Sequence, residues 1–140
     1  MSDRPPTRSL IKPIDEEEAD FNRCEFARLL GIEIVDTWPG GARLRMDMTG
    51  KRNPIGKVHG GAIFSLADQA FAIAANSGEI SQVALTAQIS FISPATGTLV
   101  AVAEQISQNE SGSLYKVTVH EGDRLVATFE GIGVSVRKPE

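Results

Sequence analysis

Along most of the chain apolar and polar residues take turns with a period of two, and in one stretch that alternation gives way to a nearly unbroken apolar run. Ala42, Leu44, Met46 and Met48 alternate with Arg43, Arg45, Asp47 and Thr49, the pattern of a strand with one buried face. Val83, Leu85, Ala87, Ile89 and Phe91 alternate with Ala84, Thr86, Gln88 and Ser90, and Tyr115, Val117 and Val119 resume the period further on. Residues 99–106 and 125–136 add two more strands, and residues 32–36 supply a short one ahead of the set. The interruptions carry turn chemistry: Trp38-Pro39-Gly40-Gly41, Pro94 with Gly97, the turn from Asn109 to Gly112, and Glu121-Gly122-Asp123. Within the last strand Gly131 is a candidate bulge at which the inward parity slips.

The apolar run covers residues 61–77. Ala62, Ile63, Phe64, Leu66, Ala67, Ala70, Phe71, Ile73, Ala74 and Ala75 point in nearly every direction around a helix, so this helix must be covered on all sides. It is too short and too rich in alanine to cross a bilayer. A glycine-bearing loop, residues 49–61, leads into it. Near the start of the chain Asp15-Glu16-Glu17-Glu18 opens another helix, acidic residues suiting the positive end of the helix dipole. Phe21, Cys24, Phe26, Ala27 and Leu30 form its apolar face and Gly31 ends it. Residues 1–13 are expected to form a loose tail. Helix, two strands, buried helix and four strands predict an α+β domain in which a curled antiparallel sheet wraps one central helix.

Composition narrows the function classes. The 140 residues suit one domain with one core, here residues 1–140. A formal net charge of −4 speaks against a nucleic-acid partner, which calls for a basic footprint. The single cysteine, Cys24, rules out an intrachain disulfide and agrees with a reducing compartment. Residues 1–12 hold no apolar core of a secretory signal, so a cytoplasmic protein with no membrane partner is expected. No His/Cys/Asp cluster has metal-ligand spacing, and no phosphate-binding or dinucleotide fingerprint occurs; no metal and no separate cofactor are expected.

The chemistry concentrates on the apolar helix. Asp68 is the only charged residue between Gly60 and Gly78. Burying a carboxylate without partners costs several kcal/mol, so folding gains nothing obvious from it, whereas a carboxylate held against apolar surface acquires the raised pKa of a general base or acid. The alternative is a narrow wet stripe made with Ser65, Gln69 and Ala72. Gly60 and Gly61 open the same helix, where backbone N–H groups lack intrahelical acceptors and can stabilise an oxyanion; a plain turn entering a helix also fits. Asp68 stands eight residues beyond Gly60, which is about 12 Å along a helix axis. One carbonyl cannot sit about 3 Å from both. If both act, two chains share the site, with their helices facing each other antiparallel.

Asn53-Pro54-Ile55-Gly56-Lys57-Val58-His59-Gly60-Gly61-Ala62-Ile63-Phe64-Ser65-Leu66-Ala67-Asp68 resembles the signature of the PaaI-like acyl-CoA thioesterases, a subfamily with the hotdog fold. Residues 71–77 continue the likeness, which runs from about Phe26 to Val136. The resemblance implies roles by position. Asp68 would be the essential carboxylate, acting as nucleophile or as the base that activates water. Gly60 would supply the N–H that polarises the thioester carbonyl. Asn53 would orient the thioester or water from the chain opposite Asp68, and His59 would support the oxyanion glycine. Thr86 would help place the water or the carboxylate. Taken alone, Asn53 could be a turn former, His59 a loop fastener and Thr86 an ordinary strand residue. Two departures stand out: Ser93 and the turn Asn109-Glu110-Ser111-Gly112 occupy places where many members carry basic residues suited to coenzyme A phosphates. Lys57, flanking the loop with Lys51 and Arg52, would be a substitute, and Gly61 with Lys57 complete the expected substrate contacts.

The resemblance thus implies a hydrolase acting on an acyl- or aryl-acyl-CoA, with coenzyme A present only as part of the substrate. A homodimer or dimer of dimers with shared active sites is expected. Two other functions fit the same fold: an enoyl-CoA hydratase or dehydratase, disfavoured because His59 directly precedes the oxyanion glycine, and a non-enzymatic acyl-CoA-binding protein, disfavoured by the joint presence of Asn53, Gly60 and Asp68.

Overall fold

The computed structural model describes residues 23–78 and 80–136. Its elements are α1 (Glu25–Leu29), β1 (Glu33–Trp38), β2 (Gly41–Met46), α2 (Gly60–Ala75), β3 (Gln82–Phe91), β4 (Leu99–Gln108), β5 (Gly112–Glu121) and β6 (Arg124–Ser135). The six strands form one antiparallel sheet in the order β1-β2-β4-β5-β6-β3. α2 lies in its concave face, packed chiefly on β2, β4 and β5. This is the curled α+β sheet around one helix that the sequence pattern predicts, and the hotdog arrangement that the resemblance implies. Among the described residues no helix is long and apolar enough to cross a membrane.

The first helix is shorter in the described residues than the sequence suggests. The acidic run at 15–18, the expected tail over 1–13 and Phe21 lie outside them. α1 ends where expected: Gly31 takes a left-handed φ of 70°, and Gly31 and Ile32 donate their N–H groups to Arg28 and Ala27 carbonyls at 3.1 and 2.9 Å. This paired closure is the usual glycine-based helix stop.

Leu66, Ala67, Ala70 and Ala74 of α2 are fully enclosed, opposed by Leu44, Met46, Leu99, Val117, Val119 and Phe129 from the sheet. The alanines let the helix sit close to the strands. Phe71 contacts the rings of Tyr115 and Phe129 at 5.6 and 5.9 Å between centroids. Along the outer side of α2 runs a half-buried stripe containing Ser65, Asp68, Gln69, Ala72 and Asn76, the stripe anticipated as the alternative setting for Asp68.

Two expectations about strand register are corrected. Gly131 is not a bulge: it pairs in register with both Tyr115 and Ala87. It is glycine because the Phe71 ring lies on it, and a Cβ there would fall 2.9 Å from ring carbons. The slip in β6 comes earlier, at Val126, between the pairs Val119↔Ala127 and His120↔Leu125. In β3 the extra residue is Leu85, between Ala84↔Gly133 and Thr86↔Ile132. Its alternating apolar set therefore has no common burial. Ala87 and Ile89 pack against the core, while Val83, Leu85 and Phe91 are 53%, 67% and 56% exposed.

Candidate active site

The chain leaving β2 folds back on itself before entering α2. Asp47 accepts the Thr49 N–H at 3.1 Å and the Lys51 ammonium at 3.3 Å, and this lysine side chain is only 8% exposed. Beyond it the backbone closes a small lobe. Asn53 donates to the Lys57 carbonyl at 2.7 Å, Gly56 donates to the Asn53 carbonyl at 3.0 Å, and Arg52 bridges Val58. The Asn53 Oδ1 accepts two further N–H groups, from Ile55 at 3.1 Å and Lys57 at 3.0 Å. With its oxygen committed to the turn, the Asn53 amide has a fixed orientation, and its Nδ2 is a donor with no acceptor among the described residues. Asn53 is a turn former, and the turn it forms leaves a donor to spare.

The lobe delivers His59 to the start of α2, where the first four backbone N–H groups of a helix need partners. His59 donates its own to the Lys51 carbonyl at 2.7 Å, and Ala62 donates to the His59 carbonyl at 2.9 Å. The His59 Nδ1 accepts the Gly61 N–H at 2.8 Å, so the ring proton of neutral His59 sits on Nε2. One of the four remains: the Gly60 N–H has no acceptor among the described residues, and it carries the positive end of the helix dipole. The cap on Gly61 thus leaves Gly60 as the free donor. Gly61 itself presents no free N–H, and its carbonyl accepts the Ser65 hydroxyl at 2.8 Å.

Phe91, at the end of β3, lies beside this donor. A Cβ added to Gly60 would come 3.3 Å from the ring's Cζ. Sequence alternation presents Phe91 only as a strand residue; nothing local to it signals the approach to a helix start far upstream in the chain.

Asp68 lies on the outer stripe of the same helix, half-buried, with no hydrogen bond or ion pair among the described residues. Burial alone pushes its carboxyl above the ordinary aspartate range. The 16-residue α2 is continuous from Gly60 through Asp68, so within one chain the roughly 12 Å axial separation stands. Thr86 is exposed on β3, opposite Ile132, and makes no side-chain hydrogen bond among the described residues. Of the loop cations, Lys51 is held by Asp47, Arg52 reaches the Met48 sulfur at 3.4 Å, and Lys57 is half-buried. His120 is half-buried in β5. One chain therefore brings together Asn53, Lys57, His59, Gly60 and Gly61, and sets Asp68 and Thr86 apart from them along α2 and β3.

Residues 55–128 match the thioesterase superfamily. The chain is 38% identical to the acyl-coenzyme A thioesterase PaaI of Escherichia coli over 109 residues, 75% of this chain and 78% of that one. The solved structure of the E. coli PaaI protein, from the phenylacetic acid degradation operon, superposes with a TM-score of 0.79 at 31% identity, covering 84% of this chain and 88% of that one. A conserved protein from Pseudomonas aeruginosa, PA5202, gives the same TM-score at 28% identity, with 83% and 97% covered.

Proposed function

The chain belongs to the thioesterase superfamily and is a thioester hydrolase, and from that premise we propose that it works as a homodimer, hydrolysing acyl-CoA at sites built from both chains. The observation that carries the proposal is the pairing, on one helix, of an N–H at Gly60 and a desolvated carboxylate at Asp68, neither with a partner among the described residues. The thioester carbonyl accepts the Gly60 N–H, whose pull strengthens as charge develops on the oxygen. Asp68 of the other chain takes a proton from water as it attacks the carbonyl carbon. The tetrahedral adduct collapses and expels coenzyme A as a thiolate, which needs no strong acid to leave. The Asn53 Nδ2 donates to the thioester or the water, and Thr86 helps to hold that water. Gly61 and Lys57 line the approach of the substrate.

The two sheet edges support pairing through β3. β1, at one edge, exposes Ile34 and Val35 but flanks them with Glu33 and Asp36, and Glu33 is ion-paired to Arg45 at 2.6 Å. β3, at the other, leaves Val83, Leu85 and Phe91 exposed. An apolar edge with open backbone groups is a template for another strand. Two β3 edges joined antiparallel set the two α2 helices side by side in opposite directions, as the axial offset between Gly60 and Asp68 requires.

The test is thiol release over a panel of short-chain, medium-chain and aryl-acyl-CoA substrates, run in parallel with an enoyl-CoA. Hydrolysis of a saturated or aryl thioester is expected. Tight binding without thiol release, or hydration of the enoyl-CoA alone, would overturn it.

A further inference from the structure

Gly60 is contacted from outside its own motif. The end of β3 at Phe91 and the connection to β4 that follows it touch the residues at the start of α2 twice. The Phe91 ring lies against Gly60, and the carbonyl of fully buried Ala95 accepts the Val58 N–H at 2.8 Å, two residues before Gly60. This segment is fastened in turn to the β5–β6 hairpin. Arg124 donates through Nη1 to the Ser93 hydroxyl at 3.1 Å and to the Pro94 carbonyl. Through Nη2 it pairs with Glu121 at 2.6 Å. Glu121 accepts the Thr96 N–H at 3.1 Å and the Thr96 hydroxyl at 3.2 Å. Ser93 also donates to the Leu125 carbonyl at 2.7 Å. The hairpin thereby grips the segment on both sides of Ala95.

We propose that Arg124 and Glu121 form a clamp that positions the oxyanion donor, acting through Ala95 and Val58 on Gly60. Arg124 is a positioning residue and touches no substrate: its guanidinium is spent on Ser93, Pro94 and Glu121, and the adjacent carboxylate makes it a poor seat for a phosphate. The donor must sit at hydrogen-bond distance from a developing oxyanion, and displacements of about 1 Å from residues remote from the chemistry are costly. Serine at position 93 fits this design, since its hydroxyl joins the hairpin to the segment as acceptor and donor at once.

The inference rests on the proposed hydrolysis for its kinetic consequence, and the test separates the two. Amide hydrogen exchange at Val58 and its neighbours reads the clamp alone. Arg124→Ala and Glu121→Ala should each speed exchange there by about tenfold, while exchange in the core of α2 is unchanged. Arg124→Lys, which can still reach the Pro94 carbonyl, should fall between. Kinetics then reads the consequence. With the best acyl-CoA, Arg124→Ala should lower kcat by about tenfold with KM within about twofold, and by the same factor with an acyl N-acetylcysteamine thioester, which lacks the nucleotide phosphates. Unchanged exchange at Val58, or unchanged kcat despite faster exchange, would overturn the clamp. A rise in KM confined to acyl-CoA would also overturn it, marking Arg124 as a phosphate contact. Absence of thiol release by the wild type would retract the hydrolysis and leave the exchange result standing on its own.

Discussion

At the scale of single residues, Asp68 and His59 are separated by what each does for folding. Asp68 is held with its carboxyl pushed up by burial and, among the described residues, no hydrogen bond or ion pair to offset the cost. Its raised folded pKa means that ionisation opposes folding, so the penalty is absent below the ordinary aspartate range and complete once pH exceeds the raised value. Asp68→Asn is therefore expected to raise Tm at neutral pH, with the gain shrinking as pH falls through the acid range; a melting series against pH checks it. The same substitution, or Asp68→Ala, should lower kcat by at least about 10²-fold while the protein stays folded. Since the proposed base is the ionised form of Asp68, wild-type kcat/KM should fall on acidification through a pKa above that of ordinary aspartate, which a pH–rate profile measures. His59 works in the opposite sense. Loss of its cap in His59→Ala should cost about 0.5–2 kcal/mol by chemical denaturation. His59→Asn, a good capping residue, should recover most of that stability and keep turnover within a few-fold.

At the scale of elements, α2 was legible from the sequence because its signals are local. An apolar run of helical length, two glycines at its start and one carboxylate within it all lie inside the one segment. The strands were legible as elements but not in register. A period of two says which residues share a face only until an extra residue intervenes, and the slips at Leu85 and Val126 carry no glycine or proline to announce them. Gly131 attracted that role because glycine is common at bulges, when the cause was the ring of Phe71, far upstream on the helix. The same non-locality hid Phe91 beside Gly60, and hid Arg124, whose partners Ser93 and Pro94 stand a whole hairpin earlier in the chain. Asn53 and His59 were readable as candidate site residues through their motif, while their backbone partners emerged only with the fold. For β3 the expected outcome is testable: Leu85→Lys places a charge on the exposed apolar edge and should shift the protein from dimer toward monomer, with a parallel loss of thiol release. Light scattering and activity on the same samples read both.

At the scale of the whole molecule, the proposed sharing of a site between two chains makes a prediction that no single chain can satisfy. Gly60→Pro removes the oxyanion N–H at a position where a first helical turn tolerates proline, and Asp68→Ala removes the base. In a mixed dimer of these variants one site collects both defects, and the other keeps native Gly60 and native Asp68. Co-refolding equal amounts of the two inactive chains should restore about a quarter of wild-type activity, since half of randomly formed dimers are mixed and each has one intact site of two. Differently tagged chains confirm the mixing, and no recovery from verified mixed dimers would refute a site shared in this way.

The unlike edges of the sheet also bear on what the protein does when concentrated. A self-complementary edge that meets its own copy is used up by the meeting. On the proposed pairing, the joined sheet ends at both sides in β1, which carries the charged side chains of Glu33 and Asp36, whereas β3 carries none. Charge is one of the features that keep a strand from recruiting another. Addition along the sheet therefore terminates at two chains, and fibrous growth is blocked by the same asymmetry that permits the pair. Any larger particle then has to form through a face of the sheet rather than by lengthening it.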